Sequence, residues 1–169
     1  MLEEIKKKIL EGLARGIMIE RDGYNFYMMA SSMTDDVQGK ATFRELAEEE
    51  KKHEELLILQ YKSLAEKGVF SEEKLVIPEM ENDKTFFTPE FTKRAAQAHY
   101  EMSALSIGLQ LELSTIEHYR KLFESTDDIT VKSFFGNMVD WEKTHYDYLS
   151  NELNSIKNIY WADSGFAPF

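Results

Sequence analysis

Glu50-Lys51-Lys52-His53 sets a carboxylate and an imidazole three residues apart in a run free of proline. On an α-helix, residues i and i+3 share a face, so both groups can aim at one point. The same pattern returns as Glu142-Lys143-Thr144-His145. A further glutamate stands upstream of each at matched spacing, Glu20 thirty residues before Glu50 and Glu112 thirty before Glu142. One Glu-x-x-His carries little information; two, each with its paired glutamate, decide the fold.

The spacing comes from an internal repeat. A shift of 92 residues aligns Leu13 with Leu105, Gly16 with Gly108, Glu20 with Glu112 and Tyr27 with Tyr119. It also aligns Thr34-Asp35-Asp36 with Thr126-Asp127-Asp128, Lys40 with Lys132 and Phe43 with Phe135. Glu50-Lys51 meets Glu142-Lys143, and His53 meets His145, with no gap anywhere. These twelve identities compare with roughly two or three expected by chance at ordinary residue frequencies. The chain reads as two copies of one helical hairpin.

The only prolines are Pro78, Pro89 and Pro168, which leaves residues 2–67 and 90–160 open to long helices. Helices are expected over about residues 2–33, 37–67, 103–125 and 129–158. Their core-facing stripes are Ile9, Leu13, Gly16, Ile17, Glu20, Tyr24, Tyr27; Phe43, Leu46, Glu50, His53, Leu57, Tyr61, Leu64; Leu105, Gly108, Glu112, Ile116, Tyr119, Leu122; and Phe135, Met138, Glu142, His145, Leu149, Leu153. Thr34-Asp35-Asp36 and Thr126-Asp127-Asp128 are turns that supply N-cap residues, and Gly68 is a helix C-terminal cap. A crossover occupies about residues 69–102, broken by Pro78 and an acidic run. Within it, Thr88-Pro89 starts a helical segment reaching about Tyr100. The aromatic tail, residues 159–169, is expected to be irregular and to pack on the bundle or on a partner chain.

Glu20 and Glu50 lie equal distances either side of the first turn, each ~22 Å from it at 1.5 Å rise per residue. Glu112 and Glu142 repeat this around the second turn. A two-fold axis across the bundle then brings all four to one level and makes the second and third helices run parallel. The crossover must travel the length of the bundle, and twenty extended residues reach roughly 60 Å. The fold class is therefore all-α: an antiparallel four-helix bundle of two repeated hairpins joined by a long crossover.

Taken singly, each of the six residues has an ordinary reading. A helical glutamate is usually solvated, and a histidine on an apolar face is usually a hydrogen-bonded core residue. Tyr27 and Tyr119 read first as core aromatics and second as donors to a ligating carboxylate. The set resists that reading. Four carboxylates at one core level repel one another, and each costs several kcal/mol to desolvate. Two divalent ions cancel their four charges. Oxygen and nitrogen ligands together suit iron or manganese, with zinc also allowed, and this arrangement is known for bundle-core di-metal sites.

Composition narrows the rest. A net charge of −11 opposes nucleic acid or an anionic membrane as partner. The absence of cysteine excludes disulfides, thiol catalysis and iron–sulfur clusters within this chain. The start, Met1-Leu2-Glu3-Glu4-Ile5-Lys6-Lys7-Lys8, lacks an apolar signal core, so a cytoplasmic protein is expected.

Over about residues 5–155 the chain resembles the ferritin-like superfamily and, within it, the rubrerythrin di-iron domain. The motifs that carry the likeness are Glu20-Arg-Asp-Gly-Tyr-Asn-Phe-Tyr27, Glu50-x-x-His53, Glu112-Leu-Ser-Thr-Ile-Glu-His-Tyr119 and Glu142-x-x-His145. The resemblance implies that Glu20, Glu50, His53, Glu112, Glu142 and His145 hold two irons, Glu50 and Glu142 bridging them. It implies reduction of hydrogen peroxide, or of oxygen, by a reduced di-iron site. Full-length relatives carry a four-cysteine rubredoxin domain as electron donor; here the donor is expected to be a separate protein such as a rubredoxin. They also carry an extra glutamate near the third-helix ligand, where this chain has Ser114 and Thr115 and where Glu117 points elsewhere by helical phase. His99 and His118 match no ligand position and are assigned to surface or packing roles. Two alternatives stand beside this reading: a ferroxidase or iron-storage subunit of bacterioferritin type, and a metal-binding bundle without turnover. A homodimer is expected, either of complete bundles or with hairpins exchanged between chains.

Overall fold

A computed structural model describes residues 3–71, 92 and 99–163. Four helices account for nearly all of them: α1 (Glu3–Met33), α2 (Val37–Lys67), α3 (His99–Glu124) and α4 (Ile129–Asp163). Among the described residues there is no strand, and no helix is long and apolar enough to cross a membrane.

The turns hold each hairpin as the repeat predicts. Asp36 caps α2, its carboxylate accepting from Gly39 N–H at 2.8 Å. Its counterpart Asp128 accepts from Thr130 and Val131 N–H at 3.1 and 3.3 Å, at the start of α4. Such caps satisfy N–H groups that a helix leaves without intrahelical partners. Gly68 closes α2 in the left-handed conformation (φ 75°), its N–H donating to Leu64 O at 3.1 Å, a backbone state that glycine enters without a Cβ penalty.

Helix α1 packs along α2, α3 along α4, and α1 against α3. Gly12 lies against Leu122, Gly16 against Tyr119 and Gly108 against Tyr27, so numbers rise on α1 as they fall on α3. The two helices are antiparallel, and α2 and α3 therefore run the same way, as the two-fold arrangement requires. The glycines make this close approach possible. A Cβ on Gly16 would stand 3.2 Å from the Tyr119 hydroxyl, and one on Gly108 3.2 Å from that of Tyr27.

Two apolar clusters fill the bundle. One contains Tyr27, Phe43, Leu46, Leu105, Leu149 and Leu153; the other contains Leu13, Leu57, Ile116, Tyr119, Phe135 and Met138. The polar layer of glutamates and histidines lies between them, closed off from water at both ends.

The helix boundaries differ from expectation at two places. Helix α3 begins at His99 rather than about 103, so the last residues assigned to the crossover are helical. Thr92 is helical, as expected of the segment that starts at Thr88-Pro89, and its hydroxyl donates to Glu152 at 2.6 Å. Helix α4 continues to Asp163, so residues 159–163 of the supposed irregular tail are helical; nothing in the sequence between Asn158 and Asp163 breaks a helix. Residues 164–169 and most of the crossover lie outside the described residues. One stripe member is also corrected. Tyr61 is 37% exposed, because Gln60 takes the inward position. The Gln60 side chain accepts from Ser71 N–H at 2.8 Å and ties down the start of the crossover.

Candidate metal centre

All six sequence-predicted residues meet in the middle layer. Each helix contributes by its own periodicity: α1 and α3 one glutamate each, α2 and α4 a glutamate and a histidine one turn apart. None of the six is more than 4% exposed. His53 Nδ1 lies 2.8 Å from Glu142 Oε1 and 3.3 Å from Glu20 Oε2. His145 Nδ1 lies 3.2 Å from Glu50 Oε1 and 3.8 Å from Glu112 Oε2. The imidazoles are stacked with centroids 5.5 Å apart. Each thus faces the first-helix glutamate of its own hairpin and the second-helix glutamate of the other, the two-fold relation written in contacts.

Two overlapping groups have ligand atoms mutually within 4.8 Å. One is Glu20, Glu50, His53 and Glu142; the other is Glu50, Glu112, Glu142 and His145. Glu50 and Glu142 belong to both.

The protein alone does not satisfy these groups. Glu50 Oε1, both oxygens of Glu142, His53 Nε2 and both ring nitrogens of His145 are buried without a properly formed hydrogen bond. Native interiors seldom leave buried polar atoms unpaired. Burial pushes the Glu50 and Glu142 carboxyls well above the usual carboxylate range, and the charges of neighbouring glutamates push them further. Burial acts on Glu20 in the same sense, but its contacts with Glu50, His53 and Tyr119 hold it below its ordinary value. For His145, burial opposes the charged form, yet Glu112 and Glu142 outweigh it and raise the pKa. A cluster with more acceptors than protons, and with buried carboxylate oxygens left unpaired, fits a pair of cations. Its mixed oxygen and nitrogen set fits iron or manganese.

Tyr27 and Tyr119 serve both readings open at the sequence level. They are fully buried in the apolar clusters, and their hydroxyls donate across the bundle, Tyr27 to Glu112 Oε1 and Tyr119 to Glu20 Oε1. Burial and the adjacent carboxylates drive both phenols well above their usual pKa, so each keeps its proton. The crossed pair fixes the α1 and α3 carboxylates from opposite hairpins. Tyr27→Phe or Tyr119→Phe is expected to weaken metal binding roughly tenfold, as loss of a ligand's hydrogen-bond partner commonly does. Titration of metal-free protein with Mn(II) measures this; unchanged affinity in both variants would make them packing residues alone.

The remaining assignments fall as follows. Thr115 is buried, and its hydroxyl donates to Leu111 O at 3.0 Å. Glu117 lies at the surface, paired with Lys121 at 2.7 Å. The His118 ring nitrogen Nε2 sits 2.9 Å from Gly12 O, a packing contact between α3 and α1. The side chain of His99 lies outside the described residues. Three neighbours were not singled out in the sequence. Glu54, beside His53, is buried and accepts from Arg21 Nε at 2.8 Å and Lys51 Nζ at 2.7 Å, bracing α1 to α2. Its residue type suggested a solvated face, and only Lys51, one turn before it, hinted otherwise. Trp141 stands edge-on to His53, with centroids 4.3 Å apart. Glu49 has one carboxylate oxygen buried and unpartnered.

The family model described as Rubrerythrin matches residues 11–153. No curated protein and no solved structure matches the chain.

Proposed function

Since the chain belongs to the rubrerythrin family, a family of ferritin-like di-iron domains, we propose that it is an oxidoreductase that reduces hydrogen peroxide to water. The observation that carries this reading is the buried layer of four carboxylates and two imidazoles, with carboxylate oxygens of Glu50 and Glu142 left unpaired and these two glutamates common to both ligand groups. Glu20, Glu50, His53 and Glu142 would hold one iron, and Glu50, Glu112, Glu142 and His145 the other. Bound there, the two ions supply the electron pair that splits the O–O bond, which with two protons yields two waters.

The chain's own residues do the rest. The apolar clusters exclude bulk water from both ends of the layer. Tyr27 and Tyr119 fix two carboxylates and retain their protons. The chain's 169 residues contain no cysteine, so the electrons come from outside it, from a thiolate-ligated iron protein of rubredoxin type. A cytoplasmic homodimer is part of the same reading, whether each chain forms its own centre or two chains exchange hairpins.

The test begins with the protein loaded with ferrous ions under anaerobic conditions. It is mixed separately with peroxide and with oxygen, and oxidation is followed optically. Much faster oxidation by peroxide is expected. Preference for oxygen, with mineral growth and a particle mass far above a dimer, would replace this reading with iron storage.

A further inference from the structure

The 92-residue repeat lets the two halves of the centre be compared position by position. Glu20 matches Glu112, Glu50 matches Glu142, His53 matches His145 and Tyr27 matches Tyr119. The match fails beside the imidazoles, where the counterpart of Trp141 is Glu49. Trp141 is buried and stands edge-on to His53, at 4.3 Å between centroids and 82° between planes. The two-fold relation makes Glu49 the counterpart of Trp141 on the His145 side, where the Glu49 and His145 side chains make no hydrogen bond or ion pair with each other. Glu49 Oε1 pairs with Lys52 Nζ at 2.5 Å, while its Oε2 is buried and meets no partner. His145 Nε2 is buried without a partner as well, and His145 Nδ1 faces Glu50 and Glu112.

An imidazole that binds a cation through Nδ1 carries its proton on Nε2, and that N–H requires an acceptor. Glu49 offers a carboxylate oxygen for the purpose. Trp141 offers His53 none, because an indole nitrogen only donates. Trp141 Nε1 is itself buried without an acceptor, so it adds an unmet donor where Glu49 adds an acceptor and a charge.

We propose that Glu49 is a positioning residue for His145 and that the two metal positions are therefore unequal. The position of His145, backed by Glu49, binds a divalent cation more tightly than that of His53, backed by Trp141. This inference rests on the metal reading of the centre.

Calorimetric titration of the metal-free protein with Co(II) is expected to resolve two steps. Glu49→Leu should weaken the tighter step by about tenfold or more, the usual effect of removing a ligand's outer partner, and leave the weaker step alone. Lys52→Gln removes the ion pair but keeps Glu49 Oε2, so it should leave both steps unchanged; a purely structural Glu49–Lys52 pair would make the two variants alike. Trp141→Phe should leave the tighter step in place. In Zn(II)-loaded, nitrogen-15-labelled protein, the His145 Nε2–H resonance should shift in Glu49→Leu and not in Lys52→Gln. Two equal steps, or two ions bound with Glu49→Leu indistinguishable from the parent, overturn the proposal alone. Binding of less than about half an ion per parent chain defeats it together with the metal reading.

Discussion

A chain carrying both Glu50→Gln and Glu142→Gln is expected to hold less than about half an ion where the parent holds about two. Without metal, it is expected to melt higher than the parent. The two effects have one cause. Glu50 and Glu142 are the glutamates common to both ligand groups, so their loss removes an anionic ligand from each position at once. In the metal-free protein the same carboxyls are buried, have unpaired oxygens, and resist ionisation because the remaining glutamates surround them. Glutamine keeps their size and removes the charge. Relief of about 1–2 kcal/mol is reasonable for two such groups, since an amide also needs partners when buried. At about 3 °C per kcal/mol for a chain of this size, the melting temperature rises by several degrees. Elemental analysis and thermal melts followed by circular dichroism read both effects. Retention of both ions would overturn the ligand assignment. A lower melting temperature in the metal-free variant would mean that the parent accommodates these charges without cations.

The centre was legible in the sequence because each part had a twin. A glutamate on an apolar stripe is ambiguous alone, but the repeat fixed the heights of Glu20, Glu50, Glu112 and Glu142 relative to their turns, and helical rise is nearly invariant. The direction of α3 relative to α2 followed from the same arithmetic, and the order of glycine contacts between α1 and α3 agrees with it. The capping aspartates were readable for a local reason: a cap is a contact between a side chain and a backbone three residues away.

What escaped the sequence depends on contacts between helices or on weak local preference. Nothing marked Trp141 as the neighbour of His53, because that contact joins α4 to α2 and breaks the repeat rather than following it. Glu54 looked like any other residue of an acidic run, and its burial follows from the guanidinium that Arg21 brings from α1. Tyr61 and Gln60 both lay near the inner stripe. Hydrophobicity favoured the tyrosine, but the crossover's need for a partner at Ser71 placed the glutamine inside. The ends of α3 and α4 were set too short because helix propensity near a terminus carries only small energies, and such boundaries are the least determined feature of any helical reading.

The metal-free protein is expected to lose stability as pH rises from 5 to 8, the reverse of ordinary acid denaturation, while the metal-loaded protein gains it. For Glu50 and Glu142 the folded pKa lies above the unfolded value of about 4.3, raised by burial and neighbouring carboxylates. Their contribution is therefore fully present below the unfolded value and is lost as pH climbs through the folded ones. His145 has the same sign: its folded pKa is raised, so its stabilisation fades as pH rises through that value. Glu20 has the opposite sign, its folded pKa being lowered, and its contribution is lost only as pH falls below the tested window. Each proton the folded chain retains and the unfolded chain has released gives a slope of about 1.4 kcal/mol per pH unit, or roughly 4 °C per unit in melting temperature. Metal reverses the slope because cations bind the deprotonated ligands and displace these same protons. Melting temperatures at pH 5, 6, 7 and 8, with chelator and with two equivalents of Mn(II), should form two lines that diverge toward alkaline pH. Parallel lines would mean that the titrating groups and the metal ligands are different residues. A metal-free protein that grows more stable from pH 5 to 8 would place compensating cations among the chain's own side chains, contrary to the orphaned oxygens of Glu50 and Glu142.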